Sequence, residues 1–192
     1  MRRTLILACL WLLSPVVHAA DEVKLVSGVF DPPRAAPEID LQGSHGKALR
    51  LADYRGKVVV LGFGFTSCPD VCPTTLAVLA QARKQVGDLA DQVQVVYITV
   101  DPQRDTAERM HRYLGTFDPT FVGGTGSEVA LETVRKQYGI LANKQTYDSN
   151  YTFAHSSYTY LIDRSGKLRA LAPYGQSAAD FAHDIKLLLA ER

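Results

Sequence analysis

The chain has 192 residues, 46% hydrophobic and 21% charged, with 21 basic and 20 acidic side chains. That balance, without a basic block or a cationic stretch interleaved with aromatics, leaves nothing to follow a nucleic-acid backbone. The length suits one domain with a core that needs no disulfide staples, and no internal repeat or low-complexity tract interrupts it.

The N-terminus reads as an export signal. Met1-Arg2-Arg3 is a short basic start, residues 5–17 are apolar apart from Ser14, and Val17-His18-Ala19 places small or modest residues where a signal peptidase reads. Residues 1–20 are therefore expected to be a signal peptide, cleaved after Ala19 or Ala20. The apolar run, about 13 residues, falls short of the roughly 20 that span a bilayer, which leaves an uncleaved anchor as the alternative. Cys9 belongs to this segment. Removing Arg2 and Arg3 with it takes the 21 basic residues to 19, against 20 acidic. Residues 21–39 contain Asp31-Pro32-Pro33-Arg34-Ala35-Ala36-Pro37 and are expected to be an extended lead, with the folded domain over residues 40–192.

Along that domain strand-like and helix-like periods alternate. Residues 58–65 form a continuous apolar run and residues 93–100 a β-branched one, as expected of central strands covered on both faces. Between them Leu76, Leu79, Ala80 and Val86 recur at helical spacing. Asp105 with Glu108 reads as a capping box opening a helix to about Leu114, and Ser127 opens another that carries Leu131, Val134 and Tyr138 on one side. Residues 158–162 and 168–172 flank Asp163-Arg164-Ser165-Gly166-Lys167, a hairpin signal. Ser177 with Asp180 caps a last helix whose buried stripe is Phe181, Ile185, Leu188 and Leu189. The order βαβα(α)ββα is that of an α/β, thioredoxin-like three-layer sandwich around a central mixed sheet.

The chemistry concentrates where the first apolar strand gives way to a helix, at Cys68-Pro69-Asp70-Val71-Cys72-Pro73. These are the only cysteines beyond the export signal. Two thiols at a helix N-terminus are made more acidic by the unpaired N–H groups and the dipole, so they are plausible metal ligands and plausible nucleophiles. On one helix face the i and i+4 Cβ atoms lie about 5–6 Å apart, whereas a disulfide wants about 3.5–4.5 Å. That difference favours a bridging metal over direct oxidation, with Pro69 and Pro73 able to distort the turn. Two thiolates select soft ions, chiefly Cu(I) with zinc in competition, and a neutral imidazole would complete such a site. His111 and His183 fall in helices among polar neighbours, and His45 sits in a Gly-Ser-His-Gly turn, so these read as solvated. His155 stands just before the strand that, in a thioredoxin-like sheet, faces the cysteine turn. Asp70 between the cysteines reads as a stabiliser of the helix N-terminus. The aromatic run Tyr147, Tyr151 and Phe153 is either core or a partner-facing loop.

Taken together, residues 64–73, Val100-Asp101-Pro102-Gln103-Arg104-Asp105-Thr106, and His155-Ser156 ahead of Tyr160-Leu161-Ile162-Asp163 resemble the Sco family, also called SenC, of copper-binding thioredoxin-like proteins. The resemblance runs in order from about Asp40 to the C-terminus. It implies that Cys68, Cys72 and His155 bind copper, as Cu(I), Cu(II) or both. The implied task is assembly of the Cu-A centre of cytochrome c oxidase subunit II, by delivering the metal or by reducing the target's cysteines. A periplasmic location, a copper donor and a thiol reductant as further partners, and a monomeric state complete the expectation. Ser67 stands where several relatives carry a histidine. If the chain is instead a thiol-disulfide reductase, Cys68 and Cys72 are its redox couple. The segment His155-Ser156-Ser157-Tyr158-Thr159 lacks the cis-proline that shapes the substrate groove of ordinary thioredoxin-type oxidoreductases, which favours metal binding. A peroxidase of the peroxiredoxin type fits a paired dithiol and a distal histidine less well.

Overall fold

The computed structural model describes residues 24–191, so the expected signal peptide and Cys9 lie outside the described residues. Ten strands and four α-helices follow in chain order. They are β1 (Gly28–Ala35), β2 (Asp40–Gly43), β3 (Ala48–Arg50), β4 (Val58–Gly64), α1 (Val71–Val86), β5 (Val93–Thr99) and α2 (Ala107–Gly115). Then come β6 (Val122–Thr125), α3 (Glu128–Tyr138), β7 (Ala142–Tyr147), β8 (Asn150–His155), β9 (Thr159–Ile162), β10 (Lys167–Ala172) and α4 (Ala178–Ala190).

Eight strands form one sheet in the order β1-β10-β9-β4-β5-β6-β2-β3, parallel across β4, β5 and β6 and antiparallel elsewhere. Every residue of β4 and β5 is buried, as their unbroken apolar sequence requires of strands covered on both sides. Alternation along β4 assigns the two faces. Phe63 meets Tyr138 of α3 and Tyr160 of β9, while Gly62 and Gly64 turn the other way, toward Tyr97 of β5. On that second face α1 packs against α4, and α2 lies over β6, where Met110 and Leu114 press on Gly123. The fold is the thioredoxin-like mixed α/β sandwich expected.

The additions to the expected order have physical causes. The segment expected to be a lead is extended, but its residues 28–35 pair antiparallel with β10 as the sheet's edge, and Ser27 before them is buried. Prolines are tolerated there because an edge strand can spare the N–H bonds they lack. β6 is only four residues, two of them glycine, and gives no propensity signal. The β7–β8 hairpin stands outside the main sheet and is polar and largely exposed. The expected capping box from Asp105 and Glu108 does not form, and the N-cap lies one residue later. Thr106 caps α2 by accepting from Arg109 N–H, and Asp105 is fully buried and points back toward the cysteine turn. No helix among the described residues is long and apolar enough to cross a membrane.

Candidate metal centre

β4 delivers the chain to the site at Phe65, and residues 66–69 turn it into α1. Cys68 lies in that turn and Cys72 in the first turn of the helix, one half-buried and the other buried. Cys68 therefore precedes the helix, so the two cysteines do not share a helix face as the i, i+4 spacing implied. Pro73 is harmless in a first turn, whose N–H groups have no helical partners. Asp70 occupies the N-cap position but its carboxylate makes no capping bond; only its carbonyl takes part, accepting from Thr74 N–H at 3.2 Å.

The pair is asymmetric. The Cys72 thiol donates to the Cys68 sulfur, which also receives the main-chain N–H groups of Asp70 and Cys72. These outweigh burial and lower the Cys68 pKa to about 5. The same bond, followed by burial, pushes the Cys72 thiol well up, although the Tyr97 hydroxyl and Phe65 N–H bond to its sulfur and act the other way. Gly64 makes room for this contact. A Cβ there would lie 1.9 Å from the Tyr97 oxygen and 2.7 Å from the Cys72 sulfur, so both atoms occupy the space a side chain would need.

His155 ends β8 and brings its Nε2 to 3.7 Å from the Cys72 sulfur. Its Nδ1 lies 2.9 Å from the Ser156 carbonyl, which can only accept. The ring proton is thereby assigned to Nδ1, and Nε2 keeps its lone pair toward the sulfur, the tautomer a metal ligand needs. Cys72 and His155 would hold a soft ion between sulfur and nitrogen, their 3.7 Å separation being short enough for both to reach one ion. The donor types and this gap fit a soft ion. No group of three or more His, Cys, Asp and Glu among the described residues is already gathered to hold a metal, so Cys68 stands beside the pair rather than converged with it.

The remaining histidines lie elsewhere. His45 and His111 meet edge to face on the surface, ring centres 4.7 Å apart, and exposed His183 contacts the Lys24 carbonyl. Within the aromatic run, Phe153 packs on Phe65 and Tyr151 hydrogen-bonds Asp101, while Tyr147 is exposed. The hydrogen bond from Tyr97 carried no sequence signal, since a buried strand aromatic reads as core.

A thioredoxin-like sandwich with a dithiol at the head of α1, and an imidazole beside it from an added hairpin, offers the donor types of a thiol- and imidazole-based metal-binding protein. The SCO1/SenC family model matches residues 31–190, and the chain belongs to that family. An SCO2-like protein of Rickettsia felis is 35% identical over 133 residues, 68% of this chain and 65% of its own length. The structure of Bradyrhizobium japonicum ScoI with copper bound is 35% identical with a TM-score of 0.74, covering 81% of this chain and 99% of that one. Apo Sco1 from Thermus thermophilus is 31% identical with a TM-score of 0.79, covering 88% and 100%. Members of this family have been solved with copper bound.

Proposed function

We propose that this chain is a copper chaperone that receives copper at Cys68, Cys72 and His155 and passes it to the Cu-A domain of cytochrome c oxidase subunit II. The observation that carries this reading is His155 Nε2 placed 3.7 Å from the Cys72 sulfur with its lone pair free. Two thiolates and one imidazole favour Cu(I), and the 35%-identical ScoI, solved with copper bound, supports copper as the metal. Cys68, ionised before the metal arrives, is the entry ligand. Cys72 gives up its proton on binding. The export signal read in residues 1–20 supports a periplasmic site of action, with a copper donor there loading the protein.

One observation favours a second reading, that of a reductase: the Cys68 thiolate is accessible and its neighbour is a buried thiol. Cys68 would attack one sulfur of a disulfide in the target, and the other target sulfur would leave as a thiolate. Cys72 would then lose its proton and displace the target sulfur from Cys68. The products are a reduced target dithiol and a Cys68–Cys72 disulfide, two electrons having passed, and a separate thiol reductant restores the pair. A deletion strain separates the two. The chaperone reading expects oxidase activity to be lost at low copper and at least partly regained as copper is raised, since mass action replaces facilitated delivery. Recovery only with a permeable reductant, at every copper level, would contradict it.

A further inference from the structure

The turn from Asp101 to Asp105 has no part in binding the ion, yet its two carboxylates reach the two separate pieces of chain that carry the ligands. Asp105, fully buried, accepts from Thr66 N–H at 2.9 Å and Thr66 Oγ1 at 2.5 Å, and from Thr99 Oγ1 at 2.7 Å. Thr66 begins the turn that holds Cys68. Arg109 braces the same turn, donating to Thr66 Oγ1 at 2.6 Å and Ser67 Oγ at 3.0 Å. Asp101, also buried, points the opposite way, accepting from Tyr151 Oη at 2.9 Å and from Arg104 Nε. Arg104 then donates through Nη1 to the Tyr151 carbonyl at 3.1 Å, and its guanidinium lies 3.9 Å from the centre of the Tyr151 ring. The turn itself is closed by Arg104 and Asp105 N–H groups bonding to the Asp101 carbonyl, so the two grips are held on one short rigid piece.

Tyr151 matters because of where it sits on β8. Side chains two apart share a strand face, so Tyr151, Phe153 and His155 point the same way from a strand that rises about 3.4 Å per residue. Phe153 rests on Phe65, with ring centres 5.8 Å apart, and His155 meets the Phe65 edge at 6.0 Å. The hairpin is not part of the main sheet, so these side-chain contacts fix its register against the domain. We infer that Arg104, Asp101 and Tyr151 act as a latch that positions His155 against Cys72, with Asp105 holding the cysteine turn in the same frame. These are positioning residues. The inference rests on the reading of Cys68, Cys72 and His155 as the copper site.

The test uses the purified exported protein with Arg104→Met, Tyr151→Phe and the conservative Arg104→Lys. In the metal-free protein, amide exchange of residues 142–155 and the nuclear Overhauser contact between His155 Hε1 and Cys72 Hβ read the latch directly. Arg104→Met should speed hairpin exchange by at least about tenfold, as expected for losing charged hydrogen bonds, and weaken the contact. Tyr151→Phe should do the same to a lesser degree, and Arg104→Lys should regain part of the loss. Circular dichroism and the exchange of β4 and β5 should stay unchanged, which separates an open latch from a failure to fold. In the Cu(II)-loaded protein the nitrogen hyperfine signal of His155 should weaken in Arg104→Met while thiolate charge transfer persists. Unchanged hairpin exchange and an intact Overhauser contact in both Arg104→Met and Tyr151→Phe would overturn the latch. Wild-type protein that takes up no copper would instead overturn the metal reading, and the metal-free measurements would still decide the latch.

Discussion

At the scale of single residues the site is governed by the asymmetry of its two thiols, Cys68 being shifted down and Cys72 up. The bond from the Cys72 thiol leaves Cys68 with a pKa of about 5, so its thiolate fraction rises as pH increases through that value and is complete by neutrality. Alkylation of Cys68 by iodoacetamide should therefore climb around pH 5 and be level between pH 7 and 8, whereas an ordinary thiol still gains about tenfold per pH unit there. Cys72→Ala removes the largest cause of the shift and should move the midpoint upward, toward the normal thiol range. Tyr97 acts on the other sulfur. Tyr97→Phe takes away a donor at Cys72 while keeping the ring, so the fold should persist and the thiolate-to-Cu(II) absorption should move to longer wavelength, the sulfur lone pair no longer being held by the phenol. An unshifted band would remove Tyr97 from the site. The sequence made Cys68, Cys72 and His155 legible because cysteine and histidine carry chemistry wherever they stand. It concealed Tyr97 and Asp105, because a strand tyrosine and a helix-leading aspartate have ordinary structural explanations that only the fold displaces.

At the scale of elements, legibility followed burial. Strands β4, β5, β9 and β10 and all four helices announced themselves by period, since each has a face or two that must leave water. β7 and β8 did not, because their residues bury little and their place is set by contacts of Tyr151 and Phe153 with residues far away in the chain. The lead segment went unrecognised as β1 for a related reason. Its anchor is Asp184, on the buried face of α4, which accepts from Val26 N–H at 2.7 Å, Ser27 N–H at 3.0 Å and Ser27 Oγ at 2.6 Å. No local pattern around residue 184 points to a partner about 157 positions earlier in the chain. Asp184→Asn would set an amide against N–H donors and leave one of them unpaired, so urea unfolding should show a loss of about 2 kcal/mol. A loss below about 0.5 kcal/mol would mean that β1 is held by its pairing to β10 alone.

Across the whole molecule, the sheet provides a rigid frame and the site lies where three independent connections leave it. The β4–α1 turn brings the thiols, the β5–α2 turn brings Asp101 to Asp105, and the β7–β8 hairpin brings the imidazole. A thioredoxin-like frame already places a dithiol at the head of α1; the added hairpin supplies a nitrogen donor, turning an exchange site into one suited to a soft metal. The account therefore depends on all three donors binding one ion. X-ray absorption at the copper edge, on the reduced protein loaded with one equivalent of Cu(I), tests this directly. It should show two copper–sulfur bonds and one copper–nitrogen bond, with the nitrogen shell lost in His155→Ala while both sulfurs remain. A wild-type spectrum lacking the imidazole, or one unchanged by His155→Ala, would contradict the assignment.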